Sequence, residues 1–466
     1  MGLPRSLAVA MVGLVLTQCW PTTVLAAEPV PALVRCTLDA CYHRALERSP
    51  LMAAARIGLE QYQSRVREAQ SVFYPKFEVN GFASVLPGLK PGKTGSEPTE
   101  DYDFTNLGPL AVGSIGMAQT LWTAGKVSSL KKLADEGVDI ARTLIRVAED
   151  EMRFQLSRAW WGLVLVDDLR DLTEEIRKIL SEQREKLERQ RDEEDAAFNQ
   201  SDLLRLNVYA AEIEEKLRQF ERNRQQALDG ARLAMGDPNE VEVQAAGELT
   251  PVTMAPISIE AAEALALANS PRHVAQRGGV KARLLQVSAA ENQLWPDLLF
   301  IVRVAATYAP TRDSSSDSLA SNPSNAATTG LGLVLRWTLD IWRQLERIEQ
   351  ARLDVRQAQL QLDGERAKLR VDVRQAWREM TDAQAMIGVQ HKAFKAARGL
   401  LTVETQAYDD GFGEYSEVLR AMESFVRRRL AHAEAIFTYN LAVAALSRLI
   451  GMELTTLKAL PPVGKP

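Results

Sequence analysis

The sequence predicts a mixed α and β fold in which one unit, two strands followed by a hairpin of very long helices, is made twice in tandem. Three observations carry that expectation: an internal duplication, two long proline-free stretches of helical period, and four short segments of period two.

The duplication shows as an ordered series of matches. Thr37-Leu-Asp-Ala, Ser49-Pro50 and Tyr74-Pro75 return 221 residues later as Ser258-Ile-Glu-Ala, Ser270-Pro271 and Trp295-Pro296. Thr120-Leu121 answers Thr338-Leu339 at 218, and both Ser201-Asp-Leu-Leu with Ser416-Glu-Val-Leu and Met235-Gly236 with Ile450-Gly451 stand at 215. A drifting but collinear offset means two copies separated by small deletions. Residues 27–236 form the first repeat, 237–256 a proline-bearing linker, 257–451 the second repeat and 452–466 a tail.

Helices fill most of each repeat. No proline occurs between Pro109 and Pro238 or between Pro323 and Pro461, although a usage of about 5% would place roughly six in each stretch. Proline breaks helix interiors, so long helices account for the gaps. Ile348, Val355, Leu362, Leu369, Ala376 and Ala383 recur every seven residues, with Val373, Met380 and Ile387 at companion positions, which is a coiled-coil seam. Each hairpin reverses at a tip, near 196–202 in the first repeat and near 411–417 in the second.

Strands are expected at 77–85 and 112–122, and again at 298–308 and 331–339. In the last, Leu331, Leu333, Leu335, Trp337 and Leu339 alternate with Gly332, Val334, Arg336 and Thr338, the period of a half-buried strand. The segments between the paired strands, 87–109 and 309–329, are rich in Pro, Gly, Ser, Asn and Asp and read as long loops. Tyr74, Trp122, Trp295 and Trp342 flank the opposite ends of the strands, as membrane-interface aromatics do in an outer-membrane barrel.

Composition narrows the classes. Lys+Arg 56 against Asp+Glu 61 and a net charge of −5 give no basic footprint for nucleic acid. Residues 1–26 read as a signal peptide, with Arg5, an apolar core and Val24-Leu25-Ala26 before the cut. Past that leader no apolar run is long enough to span a bilayer as a helix, so any crossing is by strands. Four strands do not close in lipid, where an open edge leaves backbone groups unsatisfied, so several copies must pool theirs. Cys36 and Cys41 lie in an oxidising compartment, and a bridge between them is left open.

With these elements in place the chain resembles the TolC-like outer membrane efflux protein family from Thr37 to Gly451. The resemblance rests on Leu38-Asp-x-Cys-x-x-x-Ala-Leu46 ending in Ser49-Pro50, on Thr120-Leu-Trp-Thr-Ala-Gly125-Lys126, and on Tyr408-x-x-Gly411-x-Gly413 followed by Ser416-Glu-Val-Leu419. It implies a homotrimer, a 12-stranded barrel to which each protomer gives four strands, and a periplasmic tunnel of antiparallel coiled-coil helices. It further implies a passive exit duct in the outer membrane, in contact with outer-membrane lipid and served by a periplasmic adaptor protein and an inner-membrane pump. Drugs, metals and secreted proteins stay open as cargo. The competing reading is a periplasmic coiled-coil adaptor or scaffold without a pore.

By the same resemblance the tips carry the gate and the adaptor contacts. Asp202 and Tyr408 fall at positions that tie neighbouring hairpins together, and Glu417 at a ring position, with Ser201, Gly411 and Ser416 in the turns. Gly413 stands where the family pattern has an arginine, and Arg420 where it has a second acid. No nucleophile motif, metal-ligand spacing or dinucleotide fingerprint occurs, so no catalytic residue, metal or cofactor is expected and the chain does not read as an enzyme.

Overall fold

The computed structural model describes residues 32–89, 102–193, 198–236, 241–312 and 325–455. The expected leader, residues 194–197 of the first tip and the tail from 456 lie outside the described residues.

Each repeat builds the same series of elements. In the first, β1 (Ala32–Cys36) precedes α1 (Leu38–Arg48) and α2 (Pro50–Ser71), then β2 (Lys76–Leu89), β3 (Tyr102–Trp122), the 67-residue α3 (Lys126–Asp192) and α4 (Gln200–Met235). In the second, β4 (Val241–Ala245) precedes α5 (Ile259–Asn269) and α6 (Pro271–Asn292). Then come β5 (Asp297–Tyr308), β6 (Ala327–Arg336), the 69-residue α7 (Ile341–Asp409) and α8 (Tyr415–Ile450). The repeated Thr37 and Ser258 have one job: each side-chain hydroxyl accepts the amide three residues on and so caps α1 or α5.

At about 1.5 Å per residue, α3 and α7 each reach roughly 100 Å. Their partners are segmented, because α4 and α8 have 36 residues and α2 and α6 have 22. The segments meet end to end at a glycine–proline joint. Gly236 closes α4 at φ 73°, and a Cβ there would lie 2.5 Å from the Arg48 carbonyl oxygen and 3.0 Å from Pro50 Cδ. Gly451 closes α8 at the same φ, where a Cβ would lie 2.6 Å from Pro271 Cδ and 2.7 Å from the Asn269 carbonyl oxygen. Glycine supplies the left-handed helix end and the close approach, while proline at the first helical position has no N–H to leave unpaired. The Ser-Pro and x-Gly matches of the duplication are therefore the two faces of one joint.

All four long strands form one antiparallel sheet in the order β2-β3-β5-β6. Phe77, Val79, Met117, Ile115, Phe300, Val302, Leu331 and Leu333 share one face through pairs such as Phe77 with Met117, Met117 with Val302 and Val302 with Leu331. Opposite that face lie Glu78, Asn80, Ser114, Arg303 and Thr328. Leu331 remains 79% exposed and Val79 74%, so the apolar face has no cover within the chain.

The strand ends differ from expectation. β3 begins at Tyr102 and β2 runs to Leu89, because paired backbone continues past Pro87 and Pro109 through a register shift at Pro87/Gly88. Both prolines lie where a strand has one neighbour, which leaves the missing N–H off the ladder. β6 stops at Arg336, opposite Asp297 at the start of β5, so residues 337–339 have no partner strand to continue against.

Residues 237–256 are more than a spacer, since β4 within them pairs in parallel with β1. Beyond β4 the segment packs on α3 and α8. Gly247 lies against the Trp160 indole, and the buried Asn440 side chain accepts the Val252 amide at 2.9 Å and donates to the Thr250 carbonyl at 2.9 Å. Each repeat has its own apolar core near its joint: Cys41, Met52, Trp160, Trp161, Leu228 and Met235 in one, Leu265, Val373, Met380, Val443, Leu446 and Ile450 in the other. Cys41 is disulfide-bonded. Salt bridges Asp168–Arg429 (2.7 Å) and Glu151–Arg448 (2.7 Å) tie α3 to α8 across the repeats.

One expectation is corrected here. By length and composition α8 is apolar enough to cross a membrane. Its apolar side chains, including Ile436, Val443, Leu446 and Ile450, are buried, which is the position of a core helix packed against α3, α5 and α7.

Candidate functional site: the helical tips

The tips of both hairpins come together within one chain. Leu180 and Leu187 of α3, Leu203, Leu206 and Ile213 of α4, and Leu419, Met422 and Val426 of α8 form one buried cluster. The helical period that set them on one face of each helix places them inward here, so the two tips share a core.

The turn from α7 to α8 is compact for reasons visible atom by atom. Gly411, at φ 77°, donates its amide to the Tyr408 carbonyl at 3.0 Å, and the amides of Phe412 and Gly413 both donate to the Ala407 carbonyl at 2.9 Å. A Cβ on Gly413 would sit 2.9 Å from the Tyr408 nitrogen and 3.1 Å from the Ala407 carbonyl carbon. The departure from the family's arginine therefore has a steric cause, because no side chain fits this turn. Phe412 projects outward, 91% exposed.

Asp202 lies in the first turn of α4, where a carboxylate complements the helix dipole. Its side chain is 14% exposed and stands 3.8 Å from Arg205. The same carboxylate faces the aromatic pair Tyr408 and Tyr415, whose ring centroids are 5.3 Å apart. Burial pushes the Tyr408 phenol above its ordinary range, and the charges of Asp202 and Asp409 push it further. Tyr415 is raised by burial, then by Tyr408 and Asp202. Lys186 Nζ of α3 stands 5.6 Å from the centre of the Tyr408 ring, within cation–π range. Among the described residues no hydrogen bond joins Asp202 to Tyr408. Within the protomer the two are neighbours in an electrostatic sense.

Glu417 and Arg420 form an ion pair one turn apart on α8, and both side chains are largely open to solvent. The charge of Glu417 at the tip is thus countered on its own helix. Ser416 is buried and its hydroxyl donates to Glu414 Oε2 at 3.2 Å. Ser201 is exposed, and its amide donates to Asn199 Oδ1 at 2.9 Å. The helix cap of α4 is Asn199.

At the other end of the helices, Tyr74, Trp122, Trp295 and Trp342 all stand where strands meet helices and are 65%, 51%, 57% and 83% exposed. Lys126 and Asp297 form a 2.8 Å salt bridge there between the repeats.

Sequence reasoning missed Tyr415 and Lys186, and the pairing of His391 with His432, whose rings lie 5.0 Å apart. The signal was distance from the turn. His391 and His432 are nearly equidistant from Gly411 in an antiparallel hairpin, so they meet although 41 residues separate them. Among the described residues no group of three or more His, Cys, Asp or Glu side chains is placed to hold a metal ion.

Comparison with known proteins agrees with this architecture. Residues 264–452 match the family model described as outer membrane efflux protein. The fold is similar to the open state of the Neisseria gonorrhoeae MtrE outer membrane channel (TM-score 0.71, 15% identity, 90% of this chain and 89% of that one). It is also similar to the Campylobacter jejuni CmeC outer membrane channel (0.70, 12%, 97% and 96%) and to the outer membrane protein VceC from Vibrio cholerae (0.69, 17%, 90% and 96%). At these identities the likeness is one of fold. Among curated proteins none matches in sequence. The second repeat carries the outer membrane efflux protein domain, and the fold is that of TolC-like outer membrane channels. That family is one of transport proteins.

Proposed function

We propose that this chain forms a homotrimeric duct across the outer membrane, with its helical part in the periplasm, through which an inner-membrane pump and a periplasmic adaptor protein export small molecules, metals or secreted proteins. The observation that carries the proposal is the four-stranded sheet. Its edge strands β2 and β6 are unpaired within the chain, and its Leu, Val, Ile and Phe face is exposed while the opposite face is polar. An open edge in lipid leaves backbone donors and acceptors unsatisfied, so β6 of one copy must pair with β2 of the next until the sheet closes. Three copies give twelve strands, and the roughly 100 Å helices continue that wall away from the membrane. A pore-free adaptor has no use for an apolar sheet face of this kind.

The tips are the gate. Asp202, Tyr408, Tyr415 and Lys186 set a carboxylate, two phenols and a cation between hairpins. In the closed trimer, hydrogen bonds from Tyr408 to Asp202 hold neighbouring hairpins together, and the turns at Gly411, Gly413, Ser201 and Ser416 offer the adaptor its contact. Tyr74, Trp122, Trp295 and Trp342 mark the periplasmic membrane interface. The test is direct: the protein should fractionate with outer membranes, run in mild detergent at three times the protomer mass, and conduct in planar bilayers. Recovery as a water-soluble monomer ends the proposal.

A further inference from the structure

Where β6 gives way to α7, a cavity of about 460 Å³ opens between the end of α6, the start of β5 and the first turns of α7. Four cations line it: Lys126, Arg336, Arg343 and Arg347. Two are committed, Lys126 to Asp297 at 2.8 Å and Arg343 to Asp340 in an ion pair of 2.6 Å. Arg336 and Arg347 have no acidic partner among the described residues, which leaves the cavity two positive charges in excess. Its other walls are apolar and fixed, since the Trp337 indole donates to the Leu294 carbonyl at 3.0 Å. Trp337 and Leu339 are 53% and 65% exposed and continue the alternation of Leu331, Leu333 and Leu335, so the cavity opens onto the uncovered apolar face of the sheet. Trp342, 83% exposed, stands on the first turn of α7 beside it.

We infer that this cavity binds the phosphate of an anionic phospholipid headgroup, with the acyl chains lying along Leu335, Trp337 and Leu339. The inference rests on the reading that the sheet is embedded in a bilayer. Unpaired guanidiniums bind phosphate oxygens through charge-assisted hydrogen bonds, and arginine suits them by its planar fork. Tryptophans at the headgroup level supply an amphipathic wall. A free phosphate ion would meet the same two arginines but gain nothing from the apolar wall, so the lipid is the occupant that uses both halves of the cavity. Occupied, the site would fix the depth of the barrel at the point where strand becomes helix.

The test uses the assembled oligomer, because β6 is an edge strand and a neighbouring copy borders the cavity. Protein in mild detergent is titrated with phosphatidylglycerol, phosphatidylcholine or inorganic phosphate, and bound lipid is counted by native mass spectrometry. Wild type should retain phosphatidylglycerol in preference to phosphatidylcholine, up to one molecule per copy, and equimolar inorganic phosphate should not displace it. Arg336→Gln with Arg347→Gln should weaken retention roughly thirty-fold, about five-fold for each cation, while Arg336→Lys with Arg347→Lys should restore most of it. Equal retention by wild type and the glutamine variant overturns the site, and displacement by inorganic phosphate overturns the lipid as its occupant. Planar-bilayer conductance of the same wild-type preparation separates the two readings. Absence of channels is a failure of the duct, whereas channels without preferential phosphatidylglycerol retention are a failure of the headgroup site alone.

Discussion

Gly236 and Gly451 sit at corresponding ends of the two helical hairpins, have the same φ of 73° and press on the same Ser-Pro step. At the far ends of α4 and α8 the correspondence breaks down. Asp202 and Glu417 occupy equivalent positions, each with an arginine three residues on, yet Asp202 is 14% exposed against the Tyr408–Tyr415 pair and Glu417 is 45% exposed against its own Arg420. The positions equivalent to Tyr408 and Tyr415 in the first repeat are Glu193 and Gln200. The joint is a packing solution that each repeat needs for itself. A tip meets the other repeat, so two equal tips would have left the acid of one hairpin without the aromatic pair of the other.

The largest expected effect tests the alike ends. Gly236→Val and Gly451→Val each force a β-branched residue into a left-handed conformation and into backbone atoms, at a cost of roughly 3 kcal/mol or more. The two should lower the thermal dissociation temperature of the oligomer by similar amounts. A large loss for one alone would show that the joints are not equivalent. Gly411→Ala serves as the contrast, because nothing lies within 4 Å of its would-be Cβ. Only the left-handed backbone penalty of about 1–2 kcal/mol applies there.

The unlike ends should separate next. If Tyr408 donates to Asp202 in the closed trimer, each bond is charge-assisted and contributes about 1.5–3 kcal/mol. Asp202→Ala with Tyr408→Phe should then raise single-channel conductance several-fold. The equivalent pair of changes in the second repeat, Glu417→Ala with Arg420→Ala, should leave conductance near wild type. Equal conductance of both double variants would remove the gate from the first tip.

A control lies between these ends. Asp150, packed on α3 near Arg146, Arg153 and Arg448, has its carboxyl pushed up to about 6 by burial ahead of all other influences, and its Oδ2 finds no hydrogen-bond partner among the described residues. A raised carboxyl pKa means that the folded state holds its proton more tightly than the unfolded state, so stability falls as pH rises through the window from about 4 to 6. Asp150→Asn should be the more stable protein above pH 6, by about 1 kcal/mol once solvent screening is allowed for, and the gain should vanish near pH 4. Thermal dissociation scanned against pH reads this directly. The smallest effect is that of Arg420→Ala, which frees the Glu417 charge. Reversal-potential measurements should move towards cations while dissociation temperature shifts by less than about 1 kcal/mol equivalent.

Much of this architecture was legible in the chain because its signals are periodic. The seam from Ile348 to Ala383 and the alternation from Leu331 to Leu339 each repeat one physical requirement many times over. The ends of strands were not legible in the same way. Whether residues 337–339 extend β6 depends on where β5 begins, 40 residues earlier, and Pro87 and Pro109 read as breakers until their one-sided pairing is known. Asp202 and Tyr408 drew attention through resemblance, but Tyr415 and Lys186 join them only because α3, α4 and α8 pack together, which no local pattern encodes. Gly413 shows the reverse case. Its departure from an expected arginine looked like a lost function and is a requirement of the turn.

The glycine–proline joint also has a mechanical sense. In each repeat a continuous rod, α3 or α7, runs beside a rod cut in two, and the cut ends touch without a covalent link. Such a joint carries compression, since pushing a tip towards the sheet drives Gly236 onto Pro50, but it offers little against tension or shear. Bending forces applied at the tips therefore concentrate at one level of the wall, opposite an uncut helix that acts as the hinge leaf, while the sheet beyond it stays still.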